Sequence, residues 1–246
     1  LVNNDFLDDE LVILTTFNSI FIKTAPFDFY ENLFLDISIS QTLSISNLRD
    51  KLTEMGYTKV NTVRENNEFA VRGDIIDIFN TGKENPIRIY LNNDKIEKAS
   101  FFDALTQRNK SKLKIDNKLI IFPASEILLS KDNIEVFKKK YSSSFDIDLR
   151  NDDQYTKILS GHRISGIENY FSLFFDTALS NIFDLISKNK YFSDIKYLIF
   201  DKNINHVLKK LEEIELLYKR RSDEFSKFLQ PHHNYLTLNE FKNYQK

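Results

Sequence analysis

Residues 56–126 read GYTKVNTVRENNEFAVRGDIIDIFNTGKENPIRIYLNNDKIEKASFFDALTQRNKSKLKIDNKLIIFPASE, and they contain the clearest strand pattern of the chain. From residue 58 to residue 101, apolar side chains recur with a period near two, which is typical of half-buried β-strands. Turn-forming residues interrupt the alternation at residues 66–67, 80–86 and 92–94. The pattern therefore predicts an antiparallel meander.

The alternation changes phase at residues 73–74. Phe69 and Val71 lie on one phase, whereas Ile76 and Ile78 lie on the opposite one. Because an extra residue in one strand shifts the phase in this way, we predict a β-bulge at this position.

A short helix is predicted just before the strands. Leu48 and Leu52 fall on one face of residues 47–55, and Ser46 precedes them as the expected N-cap. Gly56 suits the left-handed position that ends a helix.

Two further segments have clear patterns. Residues 11–23 begin as a continuous apolar run, which predicts a buried strand and then a short helix, as at the end of an α/β lobe. Beyond Pro123 the chain is expected to be helical and irregular. Residues 204–229 give the strongest amphipathic helix, which should pack on a core.

Composition excludes several classes of function. The 246 residues are 41% hydrophobic, and a net charge of -2 gives no general attraction for nucleic acid. The chain has no cysteine, so disulfides and thiolate metal sites are excluded, and a reducing cytoplasm is the expected location. No apolar run is long enough for a membrane span, and we expect no membrane partner. Because the chain begins with Leu1, we expect it to be a piece of a longer protein.

No pattern in the sequence predicts an active site. Gly161 and Gly166 have the spacing of a phosphate-binding loop, but Glu168 stands where that loop needs a hydroxyl for Mg²⁺. Asp74 and Asp77 offer two carboxylates without an evident third metal ligand. We therefore expect no catalysis, no cofactor and no metal in this chain.

Arg72 and Arg88 are the candidate binding residues. Each lies beside apolar residues of a predicted strand, so alternation points both guanidinium groups to the outer face of the sheet. Such an arginine suits a forked hydrogen bond with a partner's carboxylate. Pairing with an Asp or Glu of this chain is the alternative, and the residues alone leave both open.

Several motifs carry a family resemblance. They are Gly56-Tyr57, EFAVRGD and IIDIF (68–79), PIRI (86–89), Phe102-Asp103, TQR (106–108), and PASE (123–126). In this order they resemble the UvrA-binding module that transcription-repair coupling factors (Mfd) share with UvrB. The resemblance implies a degenerate helicase-like (RecA-type) α/β lobe with an inserted, mostly antiparallel β-rich module. It places the end of the first lobe segment at 1–40, the module at 41–123 and the rest of the lobe at 124–246.

UvrB is the close alternative, because it shares the RGDIIDIF strand and a segment like GIENY at 166–170. Two features favour the coupling factors. TQR at 106–108 follows their pattern where UvrB has TGE, and LIFDKN at 198–203 replaces the acidic DESH motif that UvrB needs for Mg²⁺-ATP. Lys202 at that position would oppose a metal.

The resemblance implies an adaptor that recruits UvrA to stalled RNA polymerase during nucleotide excision repair. ATP, Mg²⁺, RNA polymerase and double-stranded DNA would engage other domains of the full-length protein. By residue match, Arg72 and Arg88 would contact UvrA. The third family contact is an aromatic residue, and this chain has Asn92 there, which removes an apolar anchor of about 1 to 2 kcal/mol. A UvrB fragment that engages DNA and ATP remains the alternative.

Overall fold

The computed structural model describes residues 15–31, 33–38, 42–112, 118–188, 204–224 and 227–244. The chain is mixed α/β and forms two compact units. One unit comprises Leu1–Phe29, Lys140–Ile147 and Glu168–Lys246, and the other comprises Tyr30–Lys139 and Asp148–Ile167. We call them the helical unit and the sheet unit.

The strands all lie in the sheet unit. They are β1 (Leu35–Ser38), β2 (Thr58–Lys59), β3 (Glu68–Arg72), β4 (Ile75–Ile78), β5 (Ile87–Asn92), β6 (Lys95–Phe102), β7 (Asn109–Lys112) and β8 (Lys118–Ile121). A six-stranded sheet has the order β2-β3-β4-β5-β6-β7, and β1 pairs with β8 in a second, antiparallel sheet. Only the short β2 runs parallel to its neighbour, so the predicted meander is confirmed.

The phase change at residues 73–74 is a hairpin turn, and the predicted β-bulge there is wrong. Arg72 pairs with Ile75, so only the two residues between them form the turn. Gly73 has φ +58, a conformation that favours glycine at the first turn position. A two-residue turn places Val71 opposite Ile76 on the same face, which reverses the phase as a bulge would.

The next hairpin joins β5 and β6. Asn93 and Asp94 have φ values of 51° and 62°, as a type I′ turn requires at both central positions. Asn92 pairs with Lys95 across this turn. The sheet is irregular at two other places, where the register shifts between Tyr90 and Leu91 and between Ser100 and Phe102.

The helices are α1 (Phe17–Phe21), α2 (Phe27–Glu31), α3 (Ile45–Glu54), α4 (Lys131–Ser144), α5 (Asp153–Leu159), α6 (Ile182–Ser187), α7 (Ile204–Glu224) and α8 (Leu238–Asn243). Short 3₁₀ helices cover Leu149–Asn151, Ile167–Phe174 and Pro231–His233.

The helix predicted before the strands is α3. Leu48 and Leu52 are buried on one face, and Gly56 ends the helix with φ +92, as predicted. The N-cap prediction is wrong by two residues, because the Ser44 side chain, not that of Ser46, accepts the N–H of Asn47. Both serines precede the same apolar face, and the path of the chain into the helix selects between them.

Helix α7 confirms most of the strongest helical prediction. Its Val207 and Ile214 are buried, and Val207 packs with Leu211 in the core of the helical unit. Leu217, which fits the same period, is half exposed. Residues 225–226 lie outside the described residues, as do residues 11–14 of the predicted N-terminal strand and residues 198–203.

The six-stranded sheet has apolar residues on both faces. The larger cluster includes the buried side chains of Leu48, Leu52, Phe69, Ile76, Ile78, Ile87, Ile89 and Ile121. A smaller cluster on the other face contains Val63, Ala70, Phe79 and Phe102. Within the described ranges, no helix is long and apolar enough to cross a membrane.

Candidate partner-binding surface

The face of the six-stranded sheet opposite the larger cluster carries the candidate site. Antiparallel pairing sets Asp77 directly across from Arg88, and Tyr90 across from Lys98. Together with Arg72 these residues form a polar surface that we call the arginine face. The predicted outward direction of the two arginines is thus correct.

Asp77 lies at the centre of the arginine face and is 0% exposed. Its Oδ1 accepts Nε of Arg88 at 2.7 Å, and its Oδ2 accepts Nη2 of Arg88 at 2.9 Å, which makes a forked pair. Nη2 of Arg72 also donates to Oδ2. One buried carboxylate therefore holds both candidate arginines, as in the intrachain alternative that the sequence left open.

Arg88 is almost fully engaged within the chain. Its Nη1 donates to the carbonyl of Gln107 at 3.1 Å and to Oδ1 of Asn109 at 3.5 Å, and its Nη2 donates to Oε1 of Gln107 at 3.4 Å. With the two bonds to Asp77, these contacts equal the five N–H groups of a guanidinium. The guanidinium carbon also lies 4.3 Å from the centre of the Phe102 ring. The hydrogen bonds with Asp77 raise the pKa of Arg88, and its side chain is only 11% exposed.

Arg72 and Asn92 are more accessible. The side chain of Arg72 is 44% exposed, although it is fixed at one end by Asp77. Asn92 is exposed at the end of β5, four residues beyond Arg88. The structure thus brings Arg72 and Arg88 together and leaves Asn92 at the rim.

A short loop between β6 and β7 borders the arginine face. Oδ1 of Asp103 accepts the N–H groups of Leu105 at 3.1 Å and Thr106 at 2.8 Å, and the Thr106 hydroxyl at 3.0 Å. These bonds to Thr106 and the nearby Lys110 lower the pKa of Asp103 to about 2. Gln107 adopts φ +61, and its Nε2 donates to the carbonyls of Val63 and Ala104.

Sequence reasoning missed the roles of Asp77, Gln107 and Asn109. The sequence shows Asp77 only as one of two carboxylates without an evident third metal ligand, and not as a partner of the arginines. The antiparallel register would have set Asp77 opposite Arg88, and that was the available signal. Gln107 and Asn109 reach Arg88 only because the loop folds back, which no local pattern encodes.

The comparisons with known proteins agree with this architecture. The family described as the UvrB interaction domain matches residues 35–127, which contain all eight strands. A transcription-repair-coupling factor from Rickettsia conorii is 32% identical over 187 residues, or 76% of this chain. The chain carries a UvrB interaction domain and is a relative of the transcription-repair-coupling factors.

Two other relatives match a similar share of the chain. The transcription-repair-coupling factor of Escherichia coli is 30% identical over 72% of this chain, and UvrABC system protein B of Kosmotoga olearia is 27% identical over 68%. The chain spans 16% of the length of the Rickettsia conorii coupling factor and 15% of that of Escherichia coli. It spans 27% of the UvrABC system protein B. Its similarity therefore concerns one region of much longer proteins.

Proposed function

We propose that this chain is the part of a transcription-repair coupling factor that recruits UvrA to sites of stalled transcription. The single observation that carries the proposal is the arginine face, in which a buried carboxylate holds two arginines at one surface of the UvrB interaction domain. Two relatives that match this chain are named transcription-repair-coupling factors. The chain would act as an adaptor without catalysis or a cofactor of its own.

Within this proposal the three predicted contacts have unequal roles. Arg72 is the main contact, because its exposed guanidinium is already fixed at one end and loses little side-chain freedom on binding. Asn92 offers its amide at the rim. Arg88 reaches a partner only at its narrow exposed edge and chiefly keeps Asp77 and the neighbouring loop in place.

We also propose that a degenerate helicase-like lobe surrounds the module and that the protein is cytoplasmic. The domain boundaries would lie near residues 40 and 123. RNA polymerase, double-stranded DNA, and ATP with Mg²⁺ would engage other domains of the full-length protein.

The test is calorimetric binding of the 246-residue chain to UvrA of the same organism. Arg72→Glu places a carboxylate on the arginine face, and we expect it to weaken binding at least tenfold. Arg88→Glu is a poor probe, because it would set two carboxylates against each other at the buried Asp77.

Arg220→Glu on α7 is the matched control, since it makes the same charge reversal at an exposed arginine that is not on the arginine face and belongs to the helical unit. We expect it to bind UvrA like the parent. Absence of binding by the folded parent, or equal losses in both variants, would rule out the proposal. Tight ATP binding by the chain would instead support the UvrB alternative.

A further inference from the structure

Leu105 is the most exposed large hydrophobic side chain among the described residues, at 83%. A single exposed leucine is ordinary on protein surfaces, so exposure alone carries no conclusion. Its surroundings distinguish it, because the loop that carries Leu105 is held at both ends and borders the arginine face.

The loop is fixed by bonds within residues 103–108. The carboxylate of Asp103 accepts the N–H groups of Leu105 and Thr106, and the Asp103 N–H donates to the carbonyl of Arg108 at 2.9 Å. The N–H of Gln107 returns to the carbonyl of Asp103 at 2.8 Å. A side chain on such a loop is presented in one place, so binding through it costs little backbone entropy.

The same loop is joined to the arginine face. Gln107 bonds to Arg88 through its carbonyl and to the Val63 carbonyl through its side chain. Ala104 packs inward on the smaller apolar cluster, while its neighbour Leu105 stays in solvent. Leu105 is only two positions from Gln107, at most about 7 Å along the chain, so Leu105 lies at the edge of this face.

The charge around Leu105 indicates the chemistry of a partner. Residues 103–112, which form the loop and β7, carry the three cations Arg108, Lys110 and Lys112 against the single acid Asp103, which pairs with Lys110. The carboxylate of the adjacent arginine face, Asp77, is buried and presents no negative surface. A protein with an apolar recess surrounded by carboxylates would complement this arrangement.

We propose that Leu105 is an apolar anchor for the partner that binds the arginine face, inserted into a recess beside the carboxylates that Arg72 contacts. This inference rests on the proposed function and assigns the same partner. It adds a hydrophobic contact that Arg72, Arg88 and Asn92 cannot provide.

The test measures UvrA binding by Leu105→Ser. Its control is Leu217→Ser, which makes the same change at an exposed leucine of α7. We expect the first variant to weaken binding about tenfold and the second to match the parent. Leu105→Met keeps an apolar side chain and should bind within about threefold of the parent. Thermal unfolding of all three should stay near that of the parent, because each site is at least half exposed.

The outcomes separate the two proposals. If Arg72→Glu abolishes binding while Leu105→Ser binds like the parent, Leu105 is no anchor and the adaptor function stands. If the folded parent does not bind UvrA, the proposed function fails and the anchor fails with it. Equal losses of UvrA affinity in Leu105→Met and Leu105→Ser would show that Leu105 makes no apolar contact with the partner.

Discussion

Asp77 organises the arginine face at the scale of single residues. A carboxylate that is removed from water is costly unless charged donors surround it, and here Arg88 supplies a forked pair and Arg72 a third bond. Because Arg88 provides most of these bonds, Arg72 keeps much of its guanidinium at the surface. The arrangement fixes an exposed cation by means of a buried anion.

The two arginines should therefore differ in their effect on stability. We expect Arg88→Ala to lower the free energy of unfolding by about 3 kcal/mol, because it removes the forked partner of a buried charge. Arg72→Ala should cost less than about 1 kcal/mol, since its side chain is 44% exposed and Arg88 still satisfies Asp77. Urea unfolding of both variants measures the difference, and equal losses would contradict the assigned roles.

Asp103 gives a second prediction, on the pH response of the Leu105 loop. Its pKa is about 2 when folded, below the ordinary 3.8, so its ionised form is favoured by the fold. The stabilisation it gives is complete above pH 3.8 and is lost as the pH falls through about 2. Carboxyl ¹³C NMR should follow this titration directly.

Thr106→Val provides the control for Asp103, because it removes the hydroxyl that donates to the carboxylate and keeps the backbone N–H. The pKa of Asp103 should rise toward its ordinary value without reaching it. A value near 3.8 already in the parent would show that the loop bonds do not form in solution.

At the scale of elements, the end of α3 meets the segment that follows β8. The N–H of Ala124 donates to the carbonyl of Met55, and the Tyr57 hydroxyl donates to the carbonyl of Phe122 at 2.6 Å. A Cβ added at Gly56 would come within 2.9 Å of the Ser125 Cβ. The helix end therefore requires glycine both for its conformation and for the close approach.

Gly56 at the end of α3 and Gly73 in the β3–β4 turn both have positive φ, but they should respond differently to alanine. Gly73→Ala meets no atom within 4 Å, so it should lower the free energy of unfolding by only about 1 kcal/mol, from backbone strain. Gly56→Ala adds a steric clash and should cost about 3 kcal/mol. Urea unfolding measures both variants, and a smaller loss at Gly56 than at Gly73 would contradict the close packing.

At the scale of the whole molecule, the arginine face and the Leu105 loop belong entirely to the sheet unit. Strand β1 pairs with β8 through Leu35 and Ile121, although more than eighty positions separate them in the chain. Ile37 of β1 and Ile121 are both buried in the larger cluster. The sheet unit is therefore closed by a strand that precedes residue 40.

This closure predicts how fragments behave. A fragment of residues 30–167 should fold and bind UvrA with the affinity of the whole chain, because it contains the sheet unit. A fragment of residues 41–123 lacks β1 and exposes Ile121, so it should unfold at a lower temperature. Circular dichroism melts and calorimetry compare the two, and equal melting temperatures would show that β1 and residues 124–167 add nothing to the thermal stability of the sheet unit.

Much of the fold could be predicted because its signals are local. The meander follows from a period of two, α3 from Leu48 and Leu52 on one face, and the outward direction of Arg72 and Arg88 from alternation. These patterns express a preference of each segment for one buried face, which holds whatever the segment packs against.

The errors arise where two local arrangements give the same pattern. A bulge and a two-residue turn both reverse the phase at residues 73–74, and only pairing of Arg72 with Ile75 selects the turn. In the same way, Ser44 and Ser46 are both good caps, and the path of the chain into α3 decides between them.

Local sequence patterns were enough for the family motifs, the strand pattern, and the placing of the two arginines on one face of a sheet. Tertiary structure alone decided that both arginines share Asp77 and that the loop of Gln107 closes over Arg88. It also decided that β1 pairs with β8 to close the sheet unit. The physical reason is that periodicity reports which side of a segment is buried, whereas hydrogen-bond partners depend on register and on contacts between distant segments.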